Sequence, residues 1–206
     1  MMDIPAQIAA TERRAEASGG NVRVVLSRHY PSPPEDVWDA VTDPDRLVRW
    51  FVPITGDLRV GGSFQLEGNA GGEILECDRP RLLRLTFGGE TSVVELRFTA
   101  DGAGTLFELD HAVPEAMAGS AAGALFVGPG WDGAVLGLGL FLAGETIEDP
   151  VAAANSLEAQ NYSKHSIDEW ERLLRDSAAA TDEQIDGGVA MAMAQFAPDL
   201  GGHAQS

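Results

Sequence analysis

His111 is the side chain with the clearest capacity for chemistry. It follows Phe107 and Leu109 at two-residue steps, so in an extended strand the three share a face while Asp110 points the other way. A neutral imidazole there could donate one hydrogen bond to a bound molecule or act as a base. No Ser, Cys or acid is placed beside it by the sequence, and Asp110 on the opposite face is no dyad partner. A core histidine satisfied by backbone at a strand end is the plainer reading, and no catalytic residue is assigned. Cys77, the single cysteine, has no basic neighbour or helix N-terminus to activate it and reads as a small buried apolar residue. It cannot form an intrachain disulfide, which implies a reducing compartment. With His29, His111, His165 and His203 it makes no zinc-ligand spacing, so no metal is expected.

One glycine motif asks for a nucleotide. Gly128-Pro129-Gly130-Trp131-Asp132-Gly133 fits GxGxxG, follows the apolar run Ala124 to Val127, and has Glu148 twenty residues after its first glycine. A dinucleotide site also needs a second parallel strand, and Glu145-Thr146-Ile147-Glu148-Asp149-Pro150 is too short and polar to be one. Pro129 and Trp131 further discourage close approach of a pyrophosphate. The motif reads as a flexible entry into a helix, and no cofactor is expected.

The strands and helices that carry these residues are legible from period and punctuation. Residues 1–20 read as a polar, frayed leader. Val22, Val24 and Leu26 alternate with their neighbours in a strand that runs to about Tyr30. Ser32-Pro33-Pro34-Glu35 predicts a helix start before Val37, Trp38 and Val41, and Asp43-Pro44 predicts a second short helix through Leu47 and Trp50. From Asp57 to Val113 short alternating runs divided by glycine pairs predict about five antiparallel strands, one of them over Leu58 and Val60. A loop from Pro114 to Gly130 should lead into a helix from Trp131 to about Ala143. Ser166 and Thr181 each open a capping-box pattern, so two amphipathic helices are predicted over 166–196.

These residues carry a resemblance. Arg28, Tyr30, Pro33, Val37-Trp38, Thr42-Asp43-Pro44, Leu47 and Trp50, then Gly56-Asp57-Leu58-Arg59, Gly61-Gly62, Phe64, Gly72-Glu73-Ile74, Gly104-Thr105, His111 and Gly130-Trp131, follow in the order and spacing of the START-like (SRPBCC) superfamily. Within it the chain resembles the branch named for the C-terminal domain of the activator of the 90-kDa heat-shock protein ATPase, over about residues 22–144. The resemblance implies an α+β helix-grip fold: an antiparallel sheet curled around a long helix, with an apolar cavity between. The expected organisation is a leader at 1–20, the helix-grip domain at 21–144 and a helical extension at 145–206 that packs on the long helix.

Large aromatics at inward positions usually mean core. The implied fold nevertheless turns Trp50, Phe87 and Phe98 toward the cavity, and with Phe64, His111 and Trp131 they form the expected ligand-binding set. Arg28 and Glu73 could stand as polar groups near its mouth, but exposed strand charges are the commoner reading. The resemblance therefore implies a binding module for a small hydrophobic or amphipathic ligand. A co-chaperone of the heat-shock ATPase activator type and a cyclase- or hydrolase-like enzyme using the same cavity are the alternatives, and a homodimer or chaperone partner stays open. Gly133, Gly137 and Gly139 together cost the helix about 2–3 kcal/mol relative to alanine, which calls for a close compensating contact. Gly133 to Ala143 has no polar outer face, so the 166–196 helices or a second subunit should cover Leu136 and Leu140.

Composition narrows the partners. Fourteen basic residues against 32 acidic ones leave a net charge of −18, which repels phosphate backbones and anionic lipid. Nucleic acid and membrane surfaces are not expected partners. The first residues are broken by Asp3 and Glu12-Arg13-Arg14 before any signal-peptide core, and the apolar stretch Gly133–Gly144 is shorter than the roughly 20 residues of a spanning helix. A cytoplasmic protein is expected.

Overall fold

In the structure, a computed structural model that describes residues 2–200, eight strands form one antiparallel sheet. His203 lies outside the described residues. The strands are β1 (Thr11–Ser18), β2 (Asn21–Tyr30), β3 (Ile54–Gly56), β4 (Ser63–Leu66), β5 (Gly71–Asp78), β6 (Leu82–Thr86), β7 (Val93–Asp101) and β8 (Gly104–Pro114). They lie in the order β1-β2-β8-β7-β6-β5-β4-β3. Helices α2 (Pro34–Thr42) and α3 (Pro44–Leu47) close one end, and the long α5 (Ala124–Leu142) runs against the sheet. The fold is an α+β helix grip.

Punctuation places the early helices. Pro34 opens α2, with Pro33 rather than Ser32 at the cap and no side-chain bond there. Asp43 caps α3 through its carboxylate, which accepts from the Asp45 amide at 2.8 Å. The predicted strand over Leu58 and Val60 is instead a loop, pinned to β5 because the Gly61 amide donates to Ile74 O and the Ile74 amide to Gly62 O. Gly62 admits this because a Cβ there would stand 2.0 Å from Asp57 O.

The leader is not frayed. Residues 4–9 form α1 (Ile4–Ala9) and residues 11–18 pair with β2 along their whole length. Hydrophobic alternation could not show this strand, because its inward positions are Thr11, Arg13 and Ala15. Arg13 faces inward because a carboxylate 119 residues away receives it: its Nε donates to Asp132 Oδ2 at 2.9 Å, and Nη2 stands 2.8 Å from Oδ1.

Helix α5 begins seven residues before the expected start and absorbs the whole glycine motif, Pro129 included. No loop or helix N-terminus remains there to cradle a phosphate. A Cβ at Gly128 would lie 2.6 Å from the Trp170 ring, so this glycine is required by helix packing. A Cβ at Gly139 would stand 3.3 Å from Arg28 and Tyr30 and one at Gly137 3.5 Å from Trp50, whereas one at Gly133 would meet nothing within 4 Å, so the close contact expected there does not exist. With its 3-10 entry turn, residues 121–142 are long and apolar enough to cross a membrane, with a mean hydropathy of 1.5, contrary to the shorter stretch read from sequence. Here the helix is sandwiched between the sheet and the C-terminal helices, with Leu125, Val135, Leu136 and Leu138 buried.

After α4 (Glu115–Ala118) and α5, the chain adds α6 (Pro150–Ala154), α7 (Leu157–Ser177) and α8 (Asp182–Phe196). The Thr181 capping box forms with both reciprocal bonds. Ser166 caps nothing: α7 starts at Leu157 on a Ser156 cap, and the Ser166 hydroxyl, mid-helix and buried, donates to Asp132 at 2.5 Å. Ile167, Trp170 and Leu174 of α7 and Ile185 and Ala192 of α8 join the main core. Leu136 and Leu140 are covered by Ile4 and Ile8 of α1 together with Tyr162 of α7, so the outer face of α5 is shared between both ends of the chain.

Candidate functional site

Between α5 and the sheet lies a cavity of about 370 Å³. Helix α5 contributes Trp131, Ala134, Val135 and Leu138, the spacing that keeps side chains on one helical face. The facing wall comes from alternate residues of the strands: Leu83 and Leu85, Val94 and Leu96, Phe107 and Leu109. Trp38, Leu47, Trp50 and Phe51 of the α2–α3 region close one end. Trp50 is held by its indole, which donates to Ala40 O at 2.9 Å.

Strand β5 departs from simple alternation. A register shift between Ile74 and Glu76 puts Ile74 and Cys77 on the same side, both lining the cavity, and leaves Leu75 exposed. Cys77 is therefore an exposed thiol at the cavity lip and not the buried apolar residue that alternation suggests.

Of the six residues expected to touch a ligand, Trp50, Phe64, Phe87 and Trp131 line the cavity; Phe98 and His111 do not. Phe98 lies beyond Leu96 on the same face of β7, where α2 packs down, and its ring fills the space between Trp38 at 5.2 Å and Phe107 at 5.3 Å. Arg28 and Glu73 are also outside the wall. Arg28 reaches the opposite side, where it donates to Gln7 at 2.6 Å and holds α1. The charged residues that do line the cavity, Arg59 and Arg79, carry no periodic signal, because loop residues have no period to read.

His111 is buried behind Trp131, and its two ring nitrogens are both engaged. The Trp131 indole N–H donates to Nδ1 at 2.9 Å, and Nε2 lies 2.8 Å from Ser92 Oγ. An indole only donates, so Nδ1 is the unprotonated nitrogen and Nε2–H is the donor to Ser92. This direction decides the chemistry. Ser92 and His111 have the separation of a nucleophile and its base, but the imidazole lone pair faces the tryptophan, and Ser92 has no base to take its proton. His111 is instead a positioning residue that, with Phe87 at 5.0 Å from the Trp131 ring, fixes one wall of the cavity.

Burial pushes the His111 pKa down from 6.5 to about 4, against a smaller upward pull from Asp110. Protonation would also set a second N–H against the indole. The unfolded chain takes up this proton near pH 6.5 and the folded one only near 4, so stability from neutral His111 is complete above pH 6.5 and is lost as the pH falls through that window. The full difference is on the order of 3 kcal/mol. Denaturation midpoints of wild type and His111→Gln, measured from pH 7 to 4, should show the steeper loss in wild type; parallel curves would contradict the buried neutral imidazole.

Residues 31–138 match the family described as Activator of Hsp90 ATPase homolog 1-like protein. The crystal structure of CalU16 from Micromonospora echinospora is 36% identical, with 81% of this chain and 99% of that chain covered at a TM-score of 0.65. The solution structure of CalU16 is 38% identical, covering 81% and 94%, also at 0.65. A conserved protein of unknown function, EF2215 from Enterococcus faecalis, is similar in fold alone, at 18% identity, 82% and 95% coverage and a TM-score of 0.57. No curated protein matches the chain.

Proposed function

For a chain that belongs to the Activator of Hsp90 ATPase homolog 1-like family, with its START-like fold, we propose a role as a binding module for a small hydrophobic or amphipathic molecule held between sheet and long helix. The observation that carries this reading is the cavity itself. Its volume of about 370 Å³ is within the usual range for ligand sites, and its walls are aliphatic and aromatic side chains on a rigid frame. An interior packed to ordinary density has no such space, and dispersion contacts forgone along its walls favour filling it. Burial of roughly 200 Å² of apolar ligand surface would supply about 5 kcal/mol before the costs of association. An enzyme in the same cavity would need polar groups converging on a reacting atom, and the Ser92–His111 pair stands outside the wall with its basic nitrogen occupied.

The test is titration with N-phenyl-1-naphthylamine, a neutral dye that fluoresces in apolar surroundings. One dye per protein should bind, and Ala134→Phe, which projects a ring from α5 into the cavity, should weaken binding at least tenfold with the melting temperature little changed. Absence of dye binding, or binding indifferent to Ala134→Phe, would overturn the reading.

A further inference from the structure

The charge at the cavity mouth is opposite to that of the molecule. The chain carries 32 acidic residues, yet none lines the cavity; both charged side chains in its wall are arginines, Arg59 and Arg79. Apart from them and the exposed Cys77, the lining side chains with a polar group are Thr42 and the three tryptophans; the Thr42 hydroxyl is spent on Trp38 O at 2.8 Å, and the Trp50 and Trp131 indoles on Ala40 O and His111 Nδ1. The guanidinium groups are therefore the charged donors that the wall's side chains offer a bound molecule, beside the neutral indole N–H of Trp38.

We propose that the molecule bound here is an amphiphile whose oxyanion head group, a carboxylate or phosphate, sits at Arg59 and Arg79 while its apolar body enters toward Trp131 and Leu138. This inference rests on the cavity being a binding site. Arg59 comes from the β3–β4 loop, which backbone bonds pin to β5, and Arg79 from the turn after β5, so both line the cavity from segments that adjoin β5. Each leans on an aspartate through a single nitrogen: Arg59 Nε on Asp57 at 2.9 Å, and Arg79 Nη2 on both oxygens of Asp39 at 2.9 and 3.1 Å. Among the described residues the terminal nitrogens of Arg59, and the Nε and Nη1 of Arg79, have no partner. A guanidinium binds carboxylate or phosphate through just such a fork of N–H groups.

The side chains of Arg59 and Arg79 are 74% and 61% exposed, so their aspartate pairs are weak and an incoming anion displaces little. The aspartates orient the arginines in the unliganded protein and compete mildly with the head group. The net charge of −18 makes a small free anion a poor ligand, since long-range repulsion opposes it. Only an anion attached to an apolar body gains the burial that offsets this repulsion, which is why the amphiphile and not a simple anion fits.

The experiment is displacement of bound N-phenyl-1-naphthylamine by dodecanoate, dodecyl phosphate and neutral dodecanol, which share one alkyl chain. At least one anion should displace the dye at a tenfold lower concentration than dodecanol, and the better of the two identifies the head group. Arg59→Gln combined with Arg79→Gln should erase that advantage while dye affinity stays within about twofold, showing an intact cavity. Asp39→Asn combined with Asp57→Asn should shift it the other way, since the competing carboxylates are gone. Dye that binds but is displaced equally well by dodecanol, or an anion preference that survives the double arginine variant, would overturn the head-group assignment and leave the cavity reading standing. Dye that never binds would remove both.

Discussion

Asp132→Ala is expected to destabilise the protein by about 3–5 kcal/mol, a large fraction of the 5–15 kcal/mol that holds a typical domain together. The carboxylate is fully buried in the middle of the apolar α5, with Arg13 on one side and Ser166 and Trp170, at 2.5 and 2.8 Å, on the other. It thereby joins β1, α5 and α7 at one point. The pair as a whole adds little, because bringing two charges out of water costs nearly what their attraction returns. The large effect comes from removing one member and leaving the Arg13 guanidinium, 6% exposed, without its counter-charge. A double replacement, Arg13→Met with Asp132→Leu, should therefore recover much of the loss. Guanidinium chloride midpoints at constant slope are the measurement. An Asp132→Ala midpoint equal to wild type would mean that β1 does not dock against α5 in solution.

Cutting the chain after Gly144 is expected to give a protein that aggregates or associates. The cut removes Tyr162, Trp170, Leu174 and Ile185, each buried to within 1% of full burial, and strips cover from Leu125 and Leu136 on α5. It also takes Ser166 and Trp170 from Asp132, so a buried carboxylate loses two of its donors at the same time. The exposed surface is a contiguous apolar patch of the kind that drives association. Light scattering after size exclusion, with a melting curve, reads the result. A monomer that melts where the full chain melts would show that α7 and α8 contribute nothing to the grip. Because α1 shares the cover of Leu140, which stays half-buried, a charge there is expected to do less harm than one at Leu136.

Whatever depends on near neighbours along the chain was legible before folding. Alternation in Leu83/Leu85, Val94/Leu96 and Phe107/Leu109 placed these residues on the face that lines the cavity, since a pleated strand turns every second side chain the same way. Asp43-Pro44 and Thr181-x-x-Gln184 start helices through bonds made within one turn. The spaced residues from Arg28 to Trp131 were enough to indicate the family, and so the grip of sheet on helix.

Tertiary structure alone decided which of those inward residues meet empty space and which meet one another. Phe98 and His111 are on the right faces, but Trp38 fills the space before one, and Ser92 and Trp131 saturate the other. Local period cannot report a partner tens of residues away. The same holds for Arg13, whose inward turn makes sense only with Asp132, and for Gly128, whose missing side chain makes room for Trp170. Helix α5 defies its own glycines and proline because burial on both sides outweighs about 1 kcal/mol of propensity per glycine. Arg59 and Arg79 had no pattern to betray them, for they stand on loops, and only the folding of those loops over one mouth brings their charges to the cavity.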